Sequence, residues 1–272
     1  MTVSDAIRAA TERLAATSDT GRLDAELLMA HALGLSRSDM LVRAMRDEAP
    51  GDFKALVDRR ALYEPVAHIV GSQEFFGRGF RVTSDTLIPR GDSEVLVEAA
   101  LELRPDARRV LDLGTGTGAL LLSVLAETGA SGIGTDKSAA ALKLARENAT
   151  RLGLADRADF CLLDWHAKGW ETELGQFGLV LCNPPYVEAD AVLDPDVDRF
   201  EPHSALYAGP EGLDDYRVLI PQLRALLEKN GMAVLEIGHE QADAVTAIAA
   251  HEGFAVELRQ DLANRPRALV LT

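Results

Sequence analysis

Cysteine is among the rarest residues of this 272-residue chain, with only Cys161 and Cys182 present. Both stand inside apolar runs and read as buried free thiols, which excludes a disulfide scaffold. Basic residues are also few: 28 Lys and Arg face 43 Asp and Glu, for a net charge of −15. That balance argues against affinity built on phosphate neutralisation and suits a basic protein partner. Aromatics make up 5% of the chain, and no basic, aromatic-rich segment stands out for reading nucleic acid. The six histidines (His31, His68, His166, His203, His239, His251) are scattered, without metal-ligand spacing, so no metal site is expected. The longest apolar run, around 119–126, is far too short to span a bilayer. The opening MTVSDAIRAA lacks a basic region followed by an apolar stretch, so the expected location is cytoplasmic. There is no Gly-x-Ser-x-Gly elbow, Walker loop, internal repeat or low-complexity stretch.

What is present is ordinary globular material. Hydrophobic residues are 47% and charged residues 26%, and the length allows about two domains. Residues 1–70 read as a small helical bundle. Ser4 is the expected cap of a first helix with Ile7, Ala10 and Leu14 on one face. Leu23, Leu27, Leu28 and Leu33 form a second apolar stripe, stopped by Gly34. A third helix is expected near Ser38–Met45, capped by Ser36 or Ser38. A fourth carries Phe53, Leu56, Val57 and Leu62 and ends before Glu64-Pro65. Two short β-rich runs around Gly77-Arg78-Gly79 predict a hairpin linker over 71–90. A helix at 92–103 follows.

Residues 91–272 form the second domain, where strands and helices alternate from Arg109 onward. Strands fit at 109–113, 131–135, 158–163, 177–182, 232–237, 254–260 and 267–272. Helices fit at 117–128, 138–152, 213–229 and 239–251. Early strands separated by helices imply right-handed crossovers and a doubly wound α/β sheet, mostly parallel. Only 261–266 separate the last two strands, which predicts a closing antiparallel hairpin.

Two sites carry chemistry. In Val110-Leu111-Asp112-Leu113-Gly114-Thr115-Gly116-Thr117-Gly118, a strand runs into a glycine-rich turn and a helix, so bare backbone can approach a ligand. Asp136 ends the next strand, where a carboxylate can accept two hydrogen bonds from a ribose diol. Together they favour a nucleoside-bearing cofactor over a simple tight turn. Ala119 satisfies the looser dinucleotide spacing, so spacing alone leaves a nicotinamide dinucleotide open. The second site, Asn183-Pro184-Pro185-Tyr186, follows the strand ending at Cys182. Its prolines are stiff and lack N–H donors but keep carbonyl acceptors. Asn183 adds a side-chain oxygen, and Tyr186 adds a flat ring with a hydroxyl. This set suits a planar group carrying an NH2. Holding that nitrogen in line with an electrophilic methyl supplies catalysis through orientation.

The string D-L-G-T-G-T-G with N-P-P-Y resembles class I S-adenosylmethionine-dependent methyltransferases that act on a planar amino group. Further segments resemble the release factor glutamine N5-methyltransferase family (PrmC/HemK): DAELLMAHALGLS (24–36), EPVAHIVG (64–71), EFFGRGFRVTSDTLIPR (74–90), RFEPHSA (199–205) and LEIG (235–238). The resemblance runs from about residue 20 to the C-terminus. It implies a seven-stranded methyltransferase sheet and methyl transfer to the side-chain amide of the Gln in the Gly-Gly-Gln motif of peptide-chain release factors. S-adenosyl-L-methionine would be consumed and S-adenosyl-L-homocysteine formed. By resemblance, Gly114, Thr115, Gly116, Thr117 and Gly118 line the cofactor, Asp136 holds its ribose, and Asp164 and Trp165 lie by the adenine. Asn183, Pro184, Pro185 and Tyr186 hold the substrate glutamine, with Asn183, Pro184 and Tyr186 carrying the catalysis and Asn183 also touching the cofactor. Residues 1–70 would recognise the protein partner. No direct nucleic-acid contact, no membrane and a monomer are expected.

Other readings are methylation of a glutamine in a ribosomal protein, adenine methylation in DNA, or a binding module that has kept the fold. After Leu87-Ile88-Pro89-Arg90 the family usually continues Pro-Glu/Asp-Thr-Glu, whereas this chain has Gly91-Asp92-Ser93-Glu94. Serine keeps the hydroxyl, while Gly91 loosens the turn into the next helix. Glu201-Pro202-His203 reads as a structural turn rather than a base. The acidic run Asp190, Asp194, Asp196, Asp198 reads as a solvated loop at least as well as a basic-partner site.

Overall fold

Thr2, not Ser4, opens the first helix, α1 (Val3–Leu14): its Oγ1 accepts the Asp5 N–H at 3.2 Å. Ser4 lies one residue inside. The computed structural model describes residues 1–172 and 174–272 and divides them into two units. Met1–Ser72 and Leu193–Phe200 form the first; Gln73–Val192 and Glu201–Thr272 form the second.

In the first unit, α2 (Gly21–Leu33) ends at Gly34, whose left-handed φ of 64° closes the helix. Its inner face is not the expected leucine stripe. Leu23 and Leu27 are 42% and 37% exposed, while Asp24, Ala25, Leu28 and Met29 are buried. The cause is a buried ion pair: Arg60 Nε donates to Asp24 Oδ2 at 2.7 Å, and the Ser18 and Thr20 hydroxyls donate to the same carboxylate. A carboxylate so paired can turn inward and rotates the helix with it. Next come α3 (Arg37–Asp39), capped by Ser36, and a π-helical stretch, Met40–Ala44. Then follow α4 (Phe53–Arg60) and α5 (Val66–Val70), with Leu62 outside α4 and exposed. Helix α5 is not among the four expected helices but lies within the expected helical region 1–70; Pro65 starts it and Gly71, at φ 74°, stops it.

The hairpin forms within 71–90, with its turn at Phe76-Gly77 rather than around Gly77-Arg78-Gly79. Strands β1 (Ser72–Phe75) and β2 (Arg78–Arg81) pair across a Phe76-Gly77 loop in which both residues have positive φ. A 3-10 turn, Gly91–Ser93, leads into α6 (Glu94–Leu103). Then come β3 (Arg109–Leu113), α7 (Ala119–Glu127), β4 (Ser131–Asp136), α8 (Ala139–Arg151), β5 (Ala158–Leu162) and β6 (Phe177–Cys182). The chain next supplies α9 (Pro195–Asp198) to the first unit, where Arg60 Nη2 reaches Asp196 at 3.4 Å and Arg199 lies 5.4 Å over the Tyr63 ring. It closes with α10 (Asp214–Leu226), β7 (Leu227–Glu236), α11 (Ala242–His251), β8 (Val256–Gln260) and β9 (Pro266–Leu271).

The seven strands from β3 to β9 form one sheet in the order β5-β4-β3-β6-β7-β9-β8. The first five are parallel, and β9 is antiparallel to both β7 and β8. Strand β6 is buried at every position, as a central strand covered on both faces must be. Helix α7 is nearly all apolar and buries Ala119–Leu125 between sheet and neighbours. Strand β7 starts earlier than expected and α10 correspondingly stops at Leu226, because a register shift opposite Phe177 and Leu179 lets Leu227 pair with Phe177. Cys182 is buried but Cys161 is exposed, against expectation, because β5 is an edge strand. Among the described residues, no helix is long and apolar enough to cross a membrane.

Candidate functional site

The strand order reverses between β3 and β6, the crevice where open α/β sheets bind ligands. Gly114 and Gly116, at the end of β3, have φ of 73° and 53°. A Cβ on Gly114 would stand 3.0 Å from the Trp165 ring, so no side chain fits between turn and indole. Gly116 N–H donates to Asp136 Oδ2 at 3.0 Å, and Ser138 N–H donates to Oδ1 at 2.8 Å. Each Asp136 oxygen keeps further acceptor capacity. Thr115 donates its hydroxyl to Asp112 Oδ2 at 2.6 Å. Asp112 is wholly buried and its Oδ1 has no partner; burial pushes its carboxyl up to about 7, against the lowering effect of the Thr115 hydrogen bond.

Trp165, after β5, donates its indole N–H to Asp215 of α10 at 2.7 Å, and His166 Nε2 approaches the same oxygen at 3.0 Å. Asp164 is exposed and accepts the His166 N–H. Gly114, Thr115, Gly116, Thr117, Asp136, Asp164 and Trp165 line one cleft, joined by Asn183 and Pro185. It encloses about 960 Å3, open solvent at its mouth included. Bare backbone at two glycines, a carboxylate with acceptors to spare and a fixed indole suit a nucleoside-bearing group.

Gly118, Pro184 and Tyr186 do not line the cleft. Gly118, at φ 82°, packs on Leu122 and Ala145, where its missing Cβ lets α7 start tightly. The Tyr186 hydroxyl, expected to face substrate, turns inward and donates to Glu236 Oε1 at 3.4 Å. Burial pushes the phenol's pKa upward, and nearby Glu236 reinforces this. The Tyr186 backbone is pinned instead: its N–H donates to Leu206 carbonyl, and its own carbonyl accepts from Gln241 Nε2 at 3.0 Å. Asn183 Nδ2 donates to Ser93 Oγ at 3.4 Å.

Two participants, Glu236 and Asp215, escaped the sequence reading. Glu236 is buried within the recognised LEIG segment, and desolvation pushes its carboxyl up to about 7 while Ser93 and Arg267 oppose the rise. Asp215 fixes Trp165 from a helix fifty residues away. Glu201 is a cross-link, in keeping with a structural turn: Oε2 accepts the Ile88 N–H at 2.9 Å, and Oε1 pairs with Arg90. The only available signal was a charged residue in apolar surroundings.

A crevice of this kind at the switch point of a seven-stranded sheet with an antiparallel edge defines a methyltransferase domain. The profile described as "Methyltransferase domain" matches residues 105–251, and the "PrmC N-terminal domain" profile matches residues 5–71. The Release factor glutamine methyltransferase of Cereibacter sphaeroides is 44% identical over 98% of this chain and 97% of its own length. Its namesake from Moorella thermoacetica is 41% identical over 99% and 98%. Solved structures share the fold alone. The human Mettl16 catalytic domain in complex with a MAT2A 3′UTR hairpin has a TM-score of 0.59 at 16% identity, covering 80% of this chain and 81% of that one. The ribosomal protein L11 methylase of Lactobacillus delbrueckii subsp. bulgaricus has 0.51 at 20%, covering 68% and 80%. The chain belongs to the release factor glutamine methyltransferase family.

Proposed function

We propose that this protein transfers a methyl group from S-adenosyl-L-methionine to the side-chain amide nitrogen of the Gly-Gly-Gln glutamine of a peptide-chain release factor. The carrying observation is that Asn183 and Pro185 share one cleft with the Gly114–Thr117 turn, Asp136 and Trp165. The cofactor, when bound, supplies an electrophilic methyl on a sulfonium. Gly114 and Gly116 admit it against bare backbone, Asp136 accepts from its ribose hydroxyls, and Trp165 and Asp164 border the adenine. Asn183 Oδ1 accepts from the amide NH2 and, beside Pro185, holds the glutamine nitrogen in line. The nitrogen so held would receive the methyl of the bound cofactor, and the amide proton displaced would pass to solvent. Residues 1–70 recognise the release factor. The protein works as a cytoplasmic monomer.

The test is transfer of labelled methyl from S-adenosylmethionine to a purified unmethylated release factor, with a Gln→Ala control in its Gly-Gly-Gln motif and duplex DNA in parallel. Label on the wild-type factor alone is expected. Label on DNA alone, or on neither, overturns the reading.

A further inference from the structure

The segment that carries Asn183 is poor in backbone donors. Pro184 and Pro185 have no N–H, so the next one after Asn183 belongs to Tyr186, and it donates to the Leu206 carbonyl at 3.1 Å. The Tyr186 carbonyl is held from the other side by Gln241, at the start of α11. The Gln241 amide makes three bonds: Oε1 accepts the Gly238 N–H at 3.0 Å, and Nε2 donates to the Tyr186 carbonyl at 3.0 Å and to the Gly212 carbonyl at 3.2 Å. Its partners are backbone groups of fixed polarity, one donor and two acceptors, so a single orientation of the amide satisfies them. Glycine lets the chain close on that amide. A Cβ on Gly212, at φ 66°, would run into the Tyr186 oxygen and stand 2.7 Å from Gln241 Nε2, and one on Gly238 would stand 2.8 Å from Gln241 Oε1.

Three segments therefore meet at one side chain: the loop after β6, the turn before α10 and the loop after β7. Gln241 does not itself line the cleft, whereas Asn183 and Pro185 do. With φ locked at both prolines, few torsions between Asn183 and Tyr186 are left to absorb a displacement, so a shift of Tyr186 is carried to the cleft wall. We infer that Gln241 is a positioning residue: by holding the Tyr186 carbonyl, it sets where Asn183 and Pro185 stand in the cleft. The inference deepens the proposed glutamine methylation and rests on it. In-line transfer to a held nitrogen is sensitive to such placement, since a shift of about 1 Å costs on the order of 100-fold in rate.

Gln241→Glu keeps the length and an acceptor for the Gly238 N–H but sets an oxygen against the two carbonyls. With the full-length protein and a release factor as substrate, kcat should fall by about tenfold or more, while the calorimetric Kd for S-adenosylmethionine stays within about threefold. In an Asn183→Ala background the same substitution should lower kcat by less than about twofold, because the group it positions is gone. A Gln241 that merely supports the fold would lower kcat by the same factor in both backgrounds and weaken cofactor binding along with the melting temperature, and that outcome overturns the inference. Full kcat in Gln241→Glu also overturns it. If that variant does not fold, Gln241→Ala decides in its place: the side chain is half-buried, so water can reach the carbonyls it leaves. Lowered kcat with retained cofactor Kd is then expected, and retained kcat is the contrary result. Failure of both variants to fold would mark a residue needed by the fold itself and is equally contrary. Wild-type protein that fails to label the factor overturns the proposed function and this inference together; active wild type with an unaffected Gln241→Glu overturns this inference only.

Discussion

Asp136 Oδ2 accepts the backbone N–H of Gly116 at 3.0 Å, so the carboxylate at the end of β4 holds the glycine turn at the end of β3 in shape. The same group is the proposed ribose acceptor, so one side chain both builds the cofactor wall and binds there. Asp136→Ala removes both roles. A charge-assisted hydrogen bond contributes about 1.5–3 kcal/mol, so the Kd for S-adenosylmethionine should rise by roughly 10–100-fold. Calorimetric titration measures this, and an unchanged Kd would remove Asp136 from the cofactor site.

Asn183→Ala should separate binding from turnover. Asn183 lies on the cleft wall, but its proposed work is to orient the acceptor amide. Misplacing a reacting group costs on the order of 100-fold in rate. Single-turnover methylation should show that loss in kcat, with cofactor Kd changed by less than about threefold. Equal losses in both would contradict the assigned role.

Gly91 is where the chain departs from its family, and the local geometry tolerates the family's residue. Nothing lies within 4 Å of a Cβ at 91, and Arg90 sits at φ −103°, ψ 140°, the extended region favoured before proline. Gly91→Pro should stabilise the protein by about 0.4–1 kcal/mol through the unfolded chain. With the Arg90–Ser93 turn stiffened beside the cleft, cofactor binding should tighten. Thermal melts and titration check both, and no change in affinity or turnover would show that Gly91 does not loosen the site.

Asp112 makes stability depend on pH in a defined direction. Burial raises its folded pKa to about 7, above the unfolded value of about 3.9. Its stabilising contribution is therefore complete below the unfolded pKa and is lost as pH rises through about 7. Asp112→Asn cannot ionise and keeps an oxygen for the Thr115 hydroxyl. The difference in melting temperature, variant minus wild type, should be larger at pH 8 than at pH 5. A difference that does not grow with pH would contradict an Asp112 that ionises near neutrality.

Much of the fold was legible because its signals are local. The glycine turn after β3, Asp136 at the end of β4 and Asn183 at the end of β6 each sit at a strand terminus. A strand-then-turn pattern places such residues on the ligand side without knowledge of neighbours. The hairpin at Phe76-Gly77 and the stop at Gly34 were readable for the same reason, since a positive φ is a property of a few consecutive residues.

Reading failed where a partner from elsewhere decides. Leu23 and Leu27 of the expected α2 stripe point outward while Arg60, thirty-six residues on, pairs with an inward Asp24. Cys161 is exposed because β5 has no neighbour on one side. Tyr186 turns from the cleft because Glu236 waits behind it.

By itself, the sequence determined the alternation of strands and helices, the two site motifs and the family. Those depend on periodicity, on backbone conformations open to glycine and proline, and on short strings of residues. Only the tertiary structure decided the strand order and the burial of Asp112 and Glu236. Each is a free-energy balance between desolvating a polar group and supplying its partner, and the partners are joined by folding rather than by the chain.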